Sequence, residues 1–224
     1  MKKYIFGLVA LVSTQFINAQ ITKNMGNFSS LKAYDKIPVQ LIHSSSPSIE
    51  ISGDKAEDVQ VVNTNGELKL KIKMTSLNLL QGDNTQVKVY YDNLSNIQAS
   101  QGAIISSQGA LQSNKISLTA NEGSVLNLEL NTNYTEIKAN TGGKIVLFGK
   151  SNNQTAVVNT GAYYDGEKLK TKSTSVSVNA GGEAKVYATE SIDAKTRAGG
   201  NISVFGDPKD RNTKTVLGGK ISFK

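Results

Sequence analysis

The sequence predicts an all-β protein, a parallel β-helix of about 19–21 residues per coil behind a strand-rich N-terminal cap. Three observations predict it. A glycine followed by a tiny residue returns at a near-constant spacing. Residues on both sides of each glycine alternate between apolar and polar. Asparagine recurs at one register position on consecutive repeats. A helical solenoid would need an α period, which is absent, and propeller blades need about forty residues per unit.

The glycines are Gly102, Gly123, Gly142, Gly161, Gly181, Gly199 and Gly218, separated by 21, 19, 19, 20, 18 and 19 residues. The residue that follows is always tiny: Ala103, Ser124, Gly143, Ala162, Gly182, Gly200 and Gly219. Three places after the glycine stand Ile105, Leu126, Ile145, Tyr164, Ala184, Ile202 and Ile221, an inward column. The period of two on either side predicts a short strand, a glycine corner and another short strand in each repeat. Glycine suits a corner that needs positive φ, and a tiny next residue lets corners stack closely. Two places before the glycine stand Asn121, Asn140, Asn159 and Asn179. Coils stacked about 4.8 Å apart would let these amides bond to one another as a structural ladder.

Ahead of the coils, residues 1–19 read as a secretory signal. Lys2 and Lys3 precede the apolar run Tyr4 to Val12, and cleavage is expected after Ala19. The run is too short to span a bilayer, and no cysteine follows for acylation, so the chain is expected in the periplasm, at the cell surface or secreted, and not as a lipoprotein. Residues 20–94 lack the glycine register but contain strand candidates at Val39–His43, Ile49–Ser52, Val59–Lys73 and Val87–Tyr91. Asn65-Gly66 between alternating runs signals a hairpin, and Pro38, Pro47 and Gln81-Gly82-Asp83-Asn84 mark breaks. This segment reads as antiparallel strands or irregular first coils, continuous with the solenoid and covering one end of it. Residues 95–224 are the coils proper. The last strand, Lys220–Phe223, has nothing after it to cover its edge, which makes it a candidate site for homo-oligomerisation.

AYDKIPVQL followed by IEISG, GELKLKIK, VKVYYDNLSNIQASQGA and the glycine coils resembles the head GIN domain family of putative autotransporter adhesins, exported proteins common in Bacteroidetes. The resemblance runs from about Phe28 to Phe223. It implies a right-handed parallel β-helix and a cell-envelope setting, and it brings no catalytic motif. The family often writes its corner as Gly-Ser-Gly, whereas here it is Gly-Gly, Gly-Ala or Gly-Ser.

The composition narrows the chemistry. Without cysteine there is no disulfide and no thiol nucleophile, and His43 is the only histidine, so a Ser-His-Asp set and a transition-metal site both lack residues. No metal or cofactor is expected. Removing Lys2 and Lys3 with the signal leaves 23 basic and 18 acidic residues, a net charge of +5 with no basic run, which argues against nucleic acid as a partner. Enzymes built on β-helices need clustered carboxylates, and no acidic pair occupies matching positions on adjacent repeats: Glu136 and Asp193 lie three coils apart, Glu129 and Glu167 two. A polysaccharide lyase or hydrolase is therefore one alternative, a purely structural self-assembling scaffold is another, and non-enzymatic binding of a glycan or a cell-surface protein is the leading expectation. Phe148, Tyr187 and Phe205 at the sixth place after the corner, with Tyr163 at the second, are the candidate outward aromatics for such a surface. Lys138, Lys195 and Lys214 share another outward place and read as a solvated face.

Overall fold

The computed structural model describes residues 20–73 and 85–224. The candidate signal at 1–19 and the Gln81–Asn84 break lie outside them. β1 (Gln20–Asn24) is followed by β2 (Ser30–Ala33), β3 (Pro38–His43) and β4 (Ser48–Ser52), in which every second side chain is buried. That alternation buries one face of each strand. A 3-10 turn at Ala56–Asp58 leads into β5 (Val59–Thr64). Asn65 and Gly66, at φ 52° and 77°, fold β5 back onto β6 (Glu67–Ile72) as an antiparallel hairpin. β7 (Gln86–Tyr91) and β8 (Asn96–Ala99) follow.

From here the chain coils. β9 (Ile104–Asn121), β10 (Val125–Asn140), β11 (Lys144–Val158) and β12 (Tyr163–Asn179) each run from one glycine corner to the next. Later coils divide into β13 (Glu183–Tyr187) and β14 (Ser191–Arg197), then β15 (Asn201–Phe205) and β16 (Asp210–Val216), and end with β17 (Lys220–Phe223). Every pairing between coils is parallel and offset by one repeat, so Leu126 faces Ile145, Ile145 faces Tyr164, Tyr164 faces Ala184 and Ala184 faces Ile202. The result is a β-solenoid of about seven turns.

The N-terminal strands join the same ladders. β2 pairs in parallel with β6 and β8, and β3 with β7 and β9. β2 and β3 thus form a complete coil, with β6 and β7 as a rung outside it. Antiparallel strands close that rung: β5 lies on β6, β4 on β7 and β1 on β4.

Each corner is a pair of left-handed residues. The residue before the glycine also has positive φ, from 48° at Ala180 to 55° at Glu122. The glycine N–H donates to the carbonyl of that preceding residue in the next coil: Gly102 to Glu122, Gly123 to Thr141, Gly142 to Thr160 and Gly161 to Ala180, at 3.1–3.2 Å. The tiny residue that follows sits against backbone. A Cβ on Gly143 would stand 2.3 Å from the Ala120 carbonyl oxygen. The β2–β3 coil turns in the same way without glycine, at Asp35 and Lys36 (φ 58° and 61°). The Lys36 N–H donates to the Gln101 carbonyl at 3.0 Å, and the Asp35 carboxylate accepts the Ile72 N–H at 3.0 Å.

Two short strands per repeat are expected from the sequence; β9 to β12 are instead single long strands. The backbone ladder carries on around a second bend because one residue of each coil drops out of it there. Those residues are Asn114, Asn133 and Asn152, with Lys172 on the fourth coil. The asparagine side chains supply the missing links: the Asn133 amide donates to Asn114 at 2.7 Å and the Asn152 amide to Asn133 at 2.8 Å.

The core is a set of columns of like residues. Tyr164 is the exception in an Ile/Leu column, and its neighbours make room for it. Ala184 faces it on the next coil, and Gly166 has no side chain where Leu128 and Leu147 stand in other coils; a Cβ there would meet the Tyr164 hydroxyl at 2.2 Å.

Candidate binding surface

Beneath the second bend lies a buried polar column. The Thr132 hydroxyl donates to Ser151 at 3.0 Å and shares a 2.8 Å bond with Thr135. One coil on, the Gln154 amide donates to Thr174 at 2.9 Å, and the Tyr164 hydroxyl donates to the Gln154 carbonyl at 2.6 Å. Thr171 and Thr174 both donate to the Tyr187 carbonyl, Thr174 at 2.9 Å. Burial pushes the Tyr164 phenol well above its usual range, so it stays a donor. Satisfied in full, such a network rigidifies the strands above it.

On the outer side of this column a groove of about 840 Å³ crosses β10, β11, β12, β14 and β16. Two outward columns line it. One holds Tyr134, Asn153, Ser173, Ser191 and Asp210, paired coil to coil; the other holds Thr155, Ser175, Asp193 and Asn212. The Tyr134 hydroxyl shares a 2.8 Å bond with Thr155, and Lys115 reaches over its ring at 5.4 Å from the coil behind. Ser191 donates to Ser173 at 2.9 Å. At the far end Lys209 and Arg211 stand with Asp193 and Asp210.

Two features of this surface fall outside the glycine register of the repeats. Asp193 and Asp210 do lie on adjacent coils and share the groove, two positions out of register. Asn114, Asn133 and Asn152 form a second amide file, with a spacing of 19 that the sequence displays. The first file is continuous: Asn140 donates to Asn121 at 2.9 Å, Asn159 to Asn140 at 2.9 Å and Asn179 to Asn159 at 2.8 Å. It extends through Asn121 to the Ser100 hydroxyl at 3.2 Å.

The outward aromatics do not form one platform. Tyr187 and Phe205 are neighbours on adjacent coils. The Tyr187 ring lies under the Lys170 ammonium at 3.8 Å and against the Gly206 backbone. Phe148, 36% exposed, faces Lys168 on the intervening coil. Tyr163 stands elsewhere on the strand between Lys144 and Glu183, and its hydroxyl donates to Asp165 at 3.0 Å. Lys195 and Lys214 face each other, while Lys138 faces Val157. Among the described residues no group of three or more His, Cys, Asp or Glu is placed to hold a metal ion, and no helix is long and apolar enough to cross a membrane.

The family described as "Putative auto-transporter adhesin, head GIN domain" matches residues 27–208. No curated protein matches this chain. Among solved structures, one described as a putative adhesin from Bacteroides fragilis superposes with a TM-score of 0.81 at 17% identity, over 92% of this chain and 97% of the other. A putative adhesin from Parabacteroides merdae gives 0.70 at 19% identity, over 92% and 95%. A protein from Parabacteroides distasonis described as a putative lipid binding protein gives 0.70 at 13% identity, over 92% and 96%. At these identities the likeness is one of fold.

Proposed function

The chain belongs to the head GIN domain family, and from that premise we propose that it is an exported, non-enzymatic solenoid whose lateral surface adheres to a glycan or protein ligand at the cell envelope. The observation that carries the reading is the groove. It is wide, open and rigidly backed, and it crosses five strands that stack in register. Tyr187 and Phe205 stand together on another part of the surface, with Phe148 opposite Lys168 and Tyr163 apart from them.

Asp193 and Asp210 fit binding better than hydrolysis. Both are exposed, on an open surface that does not enclose a scissile bond between them. Export rests on the signal at residues 1–19, and the surface of the cell is the location an adhesive role requires. Among the described residues β17 pairs with β15 alone, so self-association falls to the Lys220–Phe223 edge, where the Arg211 guanidinium over Phe223 keeps it weak.

Protease treatment of intact cells, followed by immunodetection, tests the location. The expected result is loss of the protein, and protection behind the outer membrane overturns adhesion. Purified protein should bind whole target cells and release no reducing sugar from envelope or host polysaccharides.

A further inference from the structure

We propose that the groove across β10, β11, β12, β14 and β16 binds an uncharged linear glycan laid along the solenoid axis. The inference rests on the adhesive reading above and names its ligand. At the coil spacing of about 4.8 Å, the distance from Tyr134 to Asp210 is roughly 19 Å, enough for a few sugar units.

The groove exists because of side-chain size. Asn153, Thr155, Ser173, Ser175 and Ser191 are small and lie on consecutive coils in two neighbouring outward columns. Tyr134 and Glu136 rise at one end, and Asp193, Asp210 and Asn212 at the other. Every hydroxyl on the floor both donates and accepts, and Asn153 offers an amide that does the same. A ligand with hydroxyls along its whole length matches that floor. A peptide would ask instead for apolar pockets or a free strand edge, and the floor strands β11, β12 and β14 are paired on both sides, with β16 at the rim paired to β14.

Charge and preorganisation narrow the class. Lys209 is outweighed by Asp193 and Asp210, and Arg211 belongs to the column that faces inward one coil earlier, so the groove offers no net positive field to an anionic polymer. Arg211 is further occupied by Asp207 and by the Pro208 carbonyl. Tyr134 is held by its bond to Thr155, with Lys115 above it fixed in turn by Glu136 at 3.0 Å. That leaves a braced aromatic ring at one mouth of the groove, the group on which a sugar face stacks. The buried bonds of Gln154 and Thr174 lie directly under the floor, so little is ordered on binding.

Isothermal titration of the mature full chain against cellohexaose, laminarihexaose, mannohexaose and chitohexaose, with polygalacturonate as the anionic comparison, tests the assignment. At least one neutral hexasaccharide should bind with a dissociation constant in the range of about 1 μM to 1 mM. Ser173→Arg, which fills the floor, should weaken binding at least about ten-fold, and Tyr134→Ala by roughly three- to ten-fold, while Tyr187→Ala leaves it within about two-fold. Ser191→Arg places the same bulk one coil away, and it decides the matter if circular dichroism shows that Ser173→Arg is misfolded. The proposal is overturned by wild-type affinity in the folded groove variants, by stronger binding of polygalacturonate, or by no binding of any neutral hexasaccharide at millimolar concentration. Whole-cell binding measured in parallel separates the two claims. Cells bound without oligosaccharide binding overturn the glycan assignment alone, whereas loss of both overturns the adhesive reading as well.

Discussion

The two ends of the solenoid solve one problem in opposite ways. At the N-terminal end the strands reverse direction: β4 and β5 run antiparallel to the outermost parallel rung and bury Ile49, Ile51 and Val59. At the C-terminal end the parallel direction persists to the last strand, and the inward positions of β16 are polar. Arg211, Thr213 and Thr215 occupy the columns that hold Ile192, Ala194 and Thr196 one coil earlier, and all three are exposed. The Arg211 guanidinium lies over the Phe223 ring at 4.4 Å. A charge in an inward column makes a poor template for a further strand. One end is therefore covered by apolar packing and the other blunted by chemistry.

The sharpest way to break this comparison is to cut a column at each end. Leu70→Ala, at a fully buried site, should cost about 2–5 kcal/mol, and Ile221→Ala, half-buried, under about 1.5 kcal/mol, by urea denaturation. Equal losses would mean that the C-terminal coil is as tightly packed as the N-terminal one.

Corner substitutions sharpen it next. Gly143→Ala drives a methyl into the Ala120 carbonyl and should cost about 1–3 kcal/mol. Gly200→Ala, nearer the blunted end, meets the Thr196 hydroxyl and a Val178 methyl at 2.7 Å and the Val178 carbonyl oxygen at 2.9 Å, a looser approach to backbone than at Gly143, and should cost less. Arg211→Ala should change stability by under about 1 kcal/mol. Its effect appears in light scattering instead, as an increase in mass that substitution of Phe223 by Asp removes.

The smallest difference is in acid. Its bond from Lys88, at 3.0 Å, holds the Glu50 carboxyl below its usual range, against burial and with help from Tyr90. Lys32 and then Lys69 do the same for Glu67. The folded values are lowered, so this stabilisation is complete above about pH 4.5 and is lost as the pH falls through them. Hydrogen exchange near pH 3.5 should show β4 and β6 opening relative to pH 6, an increment that Glu50→Gln and Glu67→Gln abolish.

What could be read from the sequence follows from what each signal was measured against. The glycine corners announce themselves because two left-handed residues in a row leave few alternatives to glycine at the second. Asp35-Lys36 makes the same turn with the Asp35 carboxylate tied to Ile72, so the first coil carried no glycine to betray it. The asparagines at 121, 140, 159 and 179 keep a constant offset from the glycine, whereas the groove is registered on the second bend. Coil lengths from 18 to 21 residues shift that bend against the corners. The aromatics show the same slippage. Phe148 and Tyr187 share an offset from their glycines, yet a bulge between Val146 and Phe148 brings Lys168 opposite Phe148.

The direction of the backbone bonds has a mechanical consequence. They run along the stack, so traction applied at a terminus meets one rung at a time and peels it. Drag on a tether seated across the five strands of the groove would instead be divided among all of them and resisted in shear, which favours a lateral hold over an end-on one in flowing liquid.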